Sequence, residues 1–312
     1  MKLFRNIDDF PGHLRGGALS IGNFDGVHRG HSHLLKALTA HANQLQGPSM
    51  VLTFDPHPAR ILNPSKAPPP LTWADRKAEL LGQQGIDVVI AYPTDRELLD
   101  LSYIEFFEQI IVKKLGAKAM VEGPNFFFGR DRQGDTSKLQ ELCDQHDLRL
   151  EVVEPIVQGE RFISSSRIRE LVSDGQISAA ADMLTQPYRV RGMVTHGAGR
   201  GKQLGFPTAN LDAVDTLVPG MGVYAGRAFL DGITRWAAIH IGPSETFADV
   251  YKIEVHILDF SGSLYGNIIE VEFIQQLREP QKFESAAELQ NQVQLDVDNI
   301  RTIAKTCSTK AI

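Results

Sequence analysis

The chain has 312 residues, 42% of them hydrophobic and 22% charged, and 32 Lys and Arg stand against 38 Asp and Glu for a net charge of −6. That length allows about two domains of roughly 150 residues each, and the acidic balance argues against a general nucleic-acid binder, which shows a basic excess. Cys143 and Cys307 are too few for a disulfide framework. No apolar stretch approaches the roughly 18 residues of a membrane helix. Acidic residues occupy the place of a signal peptide's apolar core, so the expected location is the cytoplasm, with no membrane partner.

The first half alternates strand and helix patterns. Ala18, Leu19, Ser20 and Ile21 read as a buried parallel strand, and Leu34, Leu35, Leu38 and Ala42 recur at helical spacing after it. Between them lies Gly22-Asn23-Phe24-Asp25-Gly26-Val27-His28-Arg29-Gly30-His31. Amides at a helix N-terminus are unpaired and partly positive, so this junction is suited to phosphate. Imidazoles there can donate to an oxyanion as charge builds up in a transition state. Further strands are expected near residues 50–54, 87–92, 117–121 and 148–153. Thr72 and Asp75 suggest a capping box for a helix towards Leu81, and Ser102 and Glu105 a second for a helix to about Leu115. Another helix is expected near residues 137–146. Residues 64–70 are Pro-rich and read as a loop. Alternating strands and helices imply a parallel sheet with its ligand beyond the C-terminal strand ends.

After strand-like residues 151–157, Ser164-Ser165-Ser166-Arg167-Ile168-Arg169 reads as another helix N-terminus. Serine hydroxyls there can cap the helix or donate to phosphate, and Arg167 offers a planar fork for a triphosphate. The pattern changes at Gln186-Pro187-Tyr188, and the boundary is placed between Leu184 and Tyr188, giving domains 1–185 and 186–312. Short strands follow near residues 189–195, 223–230, 235–241, 253–260 and 268–274, with Asp231-Gly232 as a hairpin turn. They imply a small all-β barrel or sandwich. Ser285 and Glu288 open a final helix to about Ala304.

Within the second half, His196 to Asn210 reads His-Gly-Ala-Gly-Arg-Gly-Lys-Gln-Leu-Gly-Phe-Pro-Thr-Ala-Asn. Gly197, Gly199 and Gly201 let backbone amides turn inward into an anion-binding concavity without a helix. Thr208 and Asn210 supply two neutral oxygens, a partial shell for Mg²⁺.

The His28–His31 turn and the Ser164–Arg169 segment together resemble the nucleotidyltransferase superfamily. That implies a Rossmann-like α/β N-terminal domain using ATP as co-substrate, with His28, His31 and either Arg167 or Arg169 on the phosphates. Gly22, Asn23, Phe24, Asp25, Gly30, Ser164, Ser165 and Ser166 would complete the nucleotide site. Thr53-Phe54-Asp55-Pro56-His57-Pro58 and Gly123-Pro124-Asn125-Phe126-Phe127-Phe128-Gly129 are similar to the FMN adenylyltransferase branch. The resemblance implies flavin contacts at Phe54, Asp55, His57, Asn125, Phe126 and Phe128. Physically, three adjacent phenylalanines could wall a planar ring.

The glycine-rich segment resembles riboflavin kinase, as does Glu254-Val255-His256-Ile257-Leu258-Asp259-Phe260. Glu254 would be the general base, Lys202 a phosphate contact, Arg278 a flavin contact, and Thr208 and Asn210 the Mg²⁺ ligands, in an antiparallel barrel closed by a C-terminal helix. Departures from the pattern stand at Lys202, His240, Glu245 and Pro280. The expected activity is riboflavin phosphorylation to FMN followed by adenylation to FAD. Rival readings are a transferase acting on another phosphorylated acceptor and a flavin-binding sensor without turnover.

Overall fold

The computed structural model describes residues 1–8, 10–158, 161–197, 199–230, 232–243 and 251–309. They fold as two compact units, Met1–Pro69 with Trp73–Ser165, and Pro70–Thr72 with Ser166–Ile312.

The first unit is built on a parallel sheet of β1 (Lys2–Phe4), β2 (Ala18–Ile21), β3 (Ser49–Asp55), β4 (Val88–Pro93), β5 (Ala119–Glu122) and β6 (Arg149–Val152), in the order β1-β4-β3-β2-β5-β6. The apolar runs of β2 and β3 bury both faces, which is why they do not alternate with polar residues. Leu19, Ile21, Met50 and Leu52 face one core with Phe106, Phe107 and Ile111. Ala18 and Val51 face the other, with Leu35 and Leu38 of α1 (Arg29–Leu45). The short β1, which carries no strand pattern of its own, pairs with β4.

Short helix α2 (Pro58–Leu62) precedes α3 (Ala74–Gln83). The cap expected from Thr72 is corrected: Trp73 is the N-cap of α3 and provides no side-chain cap bond. After α4 (Arg96–Asp100), the capping box of Ser102 and Glu105 does form and opens α5 (Tyr103–Phe106), which continues as a π-helix to Leu115. Helix α6 (Thr136–Gln145) follows. The strand expected over 151–157 divides: its start belongs to β6, and its last residue opens a short pair, β7 (Val157–Gln158) with β8 (Arg161–Phe162).

The second unit takes in most of α7 (Ser165–Ser173) and α8 (Ile177–Ala181), upstream of the 185/186 division read from the sequence. These helices pack on the β structure; the Gly220 amide, for example, donates to the Val172 carbonyl at 3.0 Å. The β structure is a closed antiparallel barrel of β9 (Arg189–Thr195), β10 (Ala209–Asp212), β11 (Gly222–Leu230), β12 (Ile233–Pro243), β13 (Tyr251–Ile257) and β14 (Ile268–Arg278). Its ring order is β10-β13-β12-β11-β14-β9. Strand β10 starts in the last two residues of the segment read as a glycine loop, and a one-turn helix α9 (Arg200–Gln203) interrupts that loop, so the concavity is not helix-free. Ser285 accepts from the Glu288 amide at 3.2 Å and starts α10 (Ala286–Thr309), whose Val297 and Ile300 cover Ala225 and Leu258.

Candidate functional site

The turn after β2 is held by backbone bonds that place two imidazoles at the start of α1. The Gly22 amide extends the β2–β3 pairing to the Leu52 carbonyl, and the Val27 amide closes on the Phe24 carbonyl. Phe24 and Val27 take left-handed φ of 44° and 40° although neither is glycine. Burial stabilises that backbone, at 3% and 0% exposure. The Phe24 side chain is buried, its ring centroid 5.0 Å from that of His31.

His28 is the N-cap of α1, and the two histidines form a reciprocal capping box. The His31 amide donates to His28 Nδ1 at 3.2 Å, and the His28 amide donates to His31 Nδ1 at 3.3 Å. Each Nδ1 is thus an acceptor, which puts the proton of each neutral ring on Nε2. The rings stack, with centroids 3.6 Å apart. Burial pulls the His28 imidazole down to about 4, against the opposing pull of Asp25. His31 is held well below its ordinary value, first by burial and then by His28 and Lys77. Both rings are neutral donors near pH 7. A Cβ at Gly30 would lie 3.1 Å from the His28 ring and 3.4 Å from the Ile163 carbonyl, so the glycine allows that close approach.

Ser165 ends the first unit, and its hydroxyl donates to the Asp25 carbonyl at 2.8 Å. This donor braces the turn. Ser164 is half-buried and Ser166 exposed. Arg167 and Arg169 lie on α7 in the second unit.

The residues read as flavin contacts divide. Asp55 and Asn125 are exposed, and Phe54 packs partly against the core. His57 caps α2, its Nδ1 accepting from the Ala59 amide at 3.0 Å. The three phenylalanines do not form one wall. Phe128 is 6% exposed and belongs to the core, while Phe126 stacks on it at 5.3 Å. Phe127 is 44% exposed, under the Arg132 guanidinium at 4.4 Å.

Two buried ionisable groups near this turn escaped the sequence reading. Glu122 accepts from the Ile21 amide at 2.8 Å, and burial holds its carboxyl well above the ordinary range. It sits where the β2–β5 pairing stops, beyond Leu19 and Met120. Lys77, 8% exposed on α3, donates to the Thr53 hydroxyl at 3.2 Å. Thr53 donates on to the Asn23 carbonyl at 3.0 Å. The legible signal was a lysine on the buried stripe of a helix, four residues from both Trp73 and Leu81.

On the barrel, Asn210 of β10 stands opposite Glu254 of β13 and Thr195 of β9. A Cβ at Gly197 would overlap the Asn210 amide, 2.2 Å from its nitrogen, and one at Gly201 would approach the Thr208 hydroxyl at 3.3 Å. The glycines thus let the loop lie against the two oxygen donors. Gly199 turns with φ of 69° in open space. Glu254 Oε1 is 2.7 Å from Lys252 Nζ, and Oε2 is 3.4 Å from His240 Nδ1. The bond to His240, seconded by Lys252, holds this carboxylate down to about 2 against the push of burial.

Arg278 Nε and Nη2 grip the buried Asp296 of α10 at 3.1 and 2.9 Å, which anchors the last helix to the barrel. The Lys202 side chain, Ala198, and Glu245 with its neighbours Thr246 and Phe247 lie outside the described residues.

The sequence matches the family model described as FAD synthetase over residues 11–167, and the one described as riboflavin kinase over residues 184–304. A bifunctional riboflavin kinase/FMN adenylyltransferase of Pseudomonas fluorescens is 36% identical over 306 residues, 97% of this chain and 98% of its own. One from Escherichia coli K12 is 34% identical, over 95% of this chain and 96% of its own. A crystal structure described as a macrolide-efflux protein from Streptococcus pneumoniae has a TM-score of 0.84 at 28% identity, covering 96% of this chain and 98% of that one. Among the described residues no helix is long and apolar enough to cross a membrane. With both halves matched in one order and relatives aligned over nearly the whole chain, the protein belongs to the bifunctional riboflavin kinase/FMN adenylyltransferase family.

Proposed function

We propose that the two activities of the family divide at the 185/186 boundary: residues 186–312 phosphorylate riboflavin to FMN, and residues 1–185 adenylate FMN to FAD. ATP is the co-substrate of both reactions. The observation that carries the adenylation assignment is the double imidazole cap of α1, which fixes two neutral Nε2–H donors at a helix N-terminus.

In adenylyl transfer an oxygen of the FMN phosphate bonds to the α-phosphorus of ATP, the bond to the β-phosphate breaks, and pyrophosphate leaves. No proton need move. The enzyme's task is to stabilise charge on the phosphates, and donors fixed before reaction do so without reorganisation. His28 and His31 supply two such donors, and the α1 amides add partial positive charge. Ser164, Asp55 and Asn125 are the substrate-facing polar residues of this reading, and Phe126 offers the flavin a ring supported from behind by Phe128.

In the kinase reaction the ribityl hydroxyl oxygen attacks the γ-phosphorus, ADP leaves, and the hydroxyl proton passes to Glu254. The Glu254 carboxylate is ionised throughout the neutral range, so its oxygens carry no proton when the hydroxyl arrives. The Asn210 Oδ1 is buried with no hydrogen-bond partner among the described residues, which suits an oxygen ligand awaiting a hard cation. Asn210 and Thr208 would hold Mg²⁺, which would neutralise developing phosphate charge. Free Cys143 and Cys307 accord with the cytoplasm.

The test is chromatography of purified protein incubated with riboflavin, ATP and Mg²⁺. FMN should appear first and FAD after it; an unchanged riboflavin peak rejects the reading.

A further inference from the structure

We propose that Lys77 is a positioning residue of adenylyl transfer, one that sets the loop at Asn23 through Thr53 and supplies fixed positive charge beside His31. The inference rests on the assignment of FMN adenylation to the histidine turn.

Three observations converge on it. Lys77 is 8% exposed, although lysine is among the residues least often buried. Its ammonium starts a relay that crosses three elements. It donates from α3 to the Thr53 hydroxyl at the end of β3, and that hydroxyl donates to the Asn23 carbonyl in the turn. Thr53 is itself 2% exposed, so the relay is shielded from water, where such bonds hold geometry well. The relay meets the turn five residues before His28, in a segment whose backbone is already in a costly conformation at Phe24 and Val27. A brace there controls where the imidazole cap begins.

The second action is electrostatic. Lys77 disfavours the protonated form of His31. The other titratable groups in play are His28, stacked on His31 and acting in the same direction, and Asp25, which favours protonation of His28. Thr53, from β3, is neutral. A protonated His31 could not accept the His28 amide at Nδ1, so the reciprocal cap would open on that side. Lys77 therefore keeps the cap closed as well as placing it. A cation at this depth also adds long-range attraction for a triphosphate without spending a contact on it.

Lys77→Met, Lys77→Arg and Thr53→Val separate the two actions. The readouts are the steady-state rate of FAD formation from supplied FMN against pH, and the titration of His31 followed by NMR. Lys77→Met should lower kcat for adenylation by about 10–100-fold, the range expected when a supporting group lets a site drift. It should also move the His31 midpoint and the acid limb of the rate profile upward. Lys77→Arg should restore most of the midpoint shift, since it restores charge. Thr53→Val keeps the charge and cuts the relay; it should lower kcat while leaving the His31 midpoint in place. If Lys77→Met does not fold, Thr53→Val and Lys77→Arg alone decide: wild-type kcat in the first, or a neutral-range His31 midpoint in the second, overturns the proposal. So does a Lys77→Met enzyme with unchanged kcat and midpoint. A wild-type enzyme that makes no FAD from FMN would reject the underlying assignment instead, which is a distinct result.

Discussion

The histidine turn and the barrel site both keep their working residues in one protonation state, and they do so by opposite means. Burial drives His28 and His31 to the neutral form, so the turn acts with uncharged donors. Hydrogen bonding and ion pairing drive Glu254 to the charged form, so the barrel acts with a fixed acceptor. The two shifts have the same sign and opposite chemical results. A base pushed down loses its charge, whereas an acid pushed down keeps it. The lesson is that desolvation and ion pairing can each hold a side chain in one protonation state, and that the pairing which keeps Glu254 ionised also lowers its proton affinity, so its part in the kinase step rests on placement.

Substitutions can break the comparison at either end. The largest effect is expected from Glu254→Gln, which removes the proton acceptor and should lower riboflavin kinase kcat by about 10²–10⁴. FAD formation from supplied FMN should persist in that variant. Next comes His31→Ala, which removes one Nε2–H donor and half of the reciprocal cap. It should lower FAD formation by about 10²–10³ while riboflavin phosphorylation continues. Asn210→Ala should raise the Mg²⁺ concentration needed for half-maximal kinase rate, with adenylation of FMN serving as the control.

Much of this was legible because the signals are local. A strand, a glycine-framed turn and a helix can be read within a few residues, and β2 and β9 fall on the ranges expected of them. The reciprocal cap follows from an i, i+3 spacing that any helix N-terminus imposes. What the sequence hid depends on distant partners. Arg278 reads as a free fork until Asp296, on a helix that starts after it, takes that fork. Phe128 reads like Phe126 until the core that holds it is assembled. The polar β10 lacks a strand pattern because it is short and its identity comes from the neighbours that pair with it, β9 and β13. Lys77 stands on the buried stripe of α3, but the pattern of that helix does not say that Thr53 lies across from it.

A smaller effect sharpens the contrast through stability. The folded His28 titrates near 4 against 6.5 when unfolded, so its neutral form contributes stability that is complete above 6.5 and lost as pH falls to about 4. The loss is on the order of 3 kcal/mol. Glu254 behaves alike in a lower window: its contribution is complete above 4.5 and fades only as pH falls towards about 2. Urea unfolding between pH 7 and pH 4, followed by probes in each half, should show the first unit weakening before the barrel. His28→Gln should flatten the pH dependence of the first unit.

The division of labour itself is tested most directly by mixing two variants. His31→Ala and Glu254→Gln are each incubated with riboflavin, ATP and Mg²⁺, alone and together, and the flavins are separated by chromatography. The account predicts FMN without FAD from the first, unchanged riboflavin from the second, and FAD from the mixture, because FMN released by one enzyme is adenylated by the other. A mixture that makes no FAD although each variant retains its own half-reaction, or either variant alone making FAD from riboflavin at the wild-type rate, would contradict it.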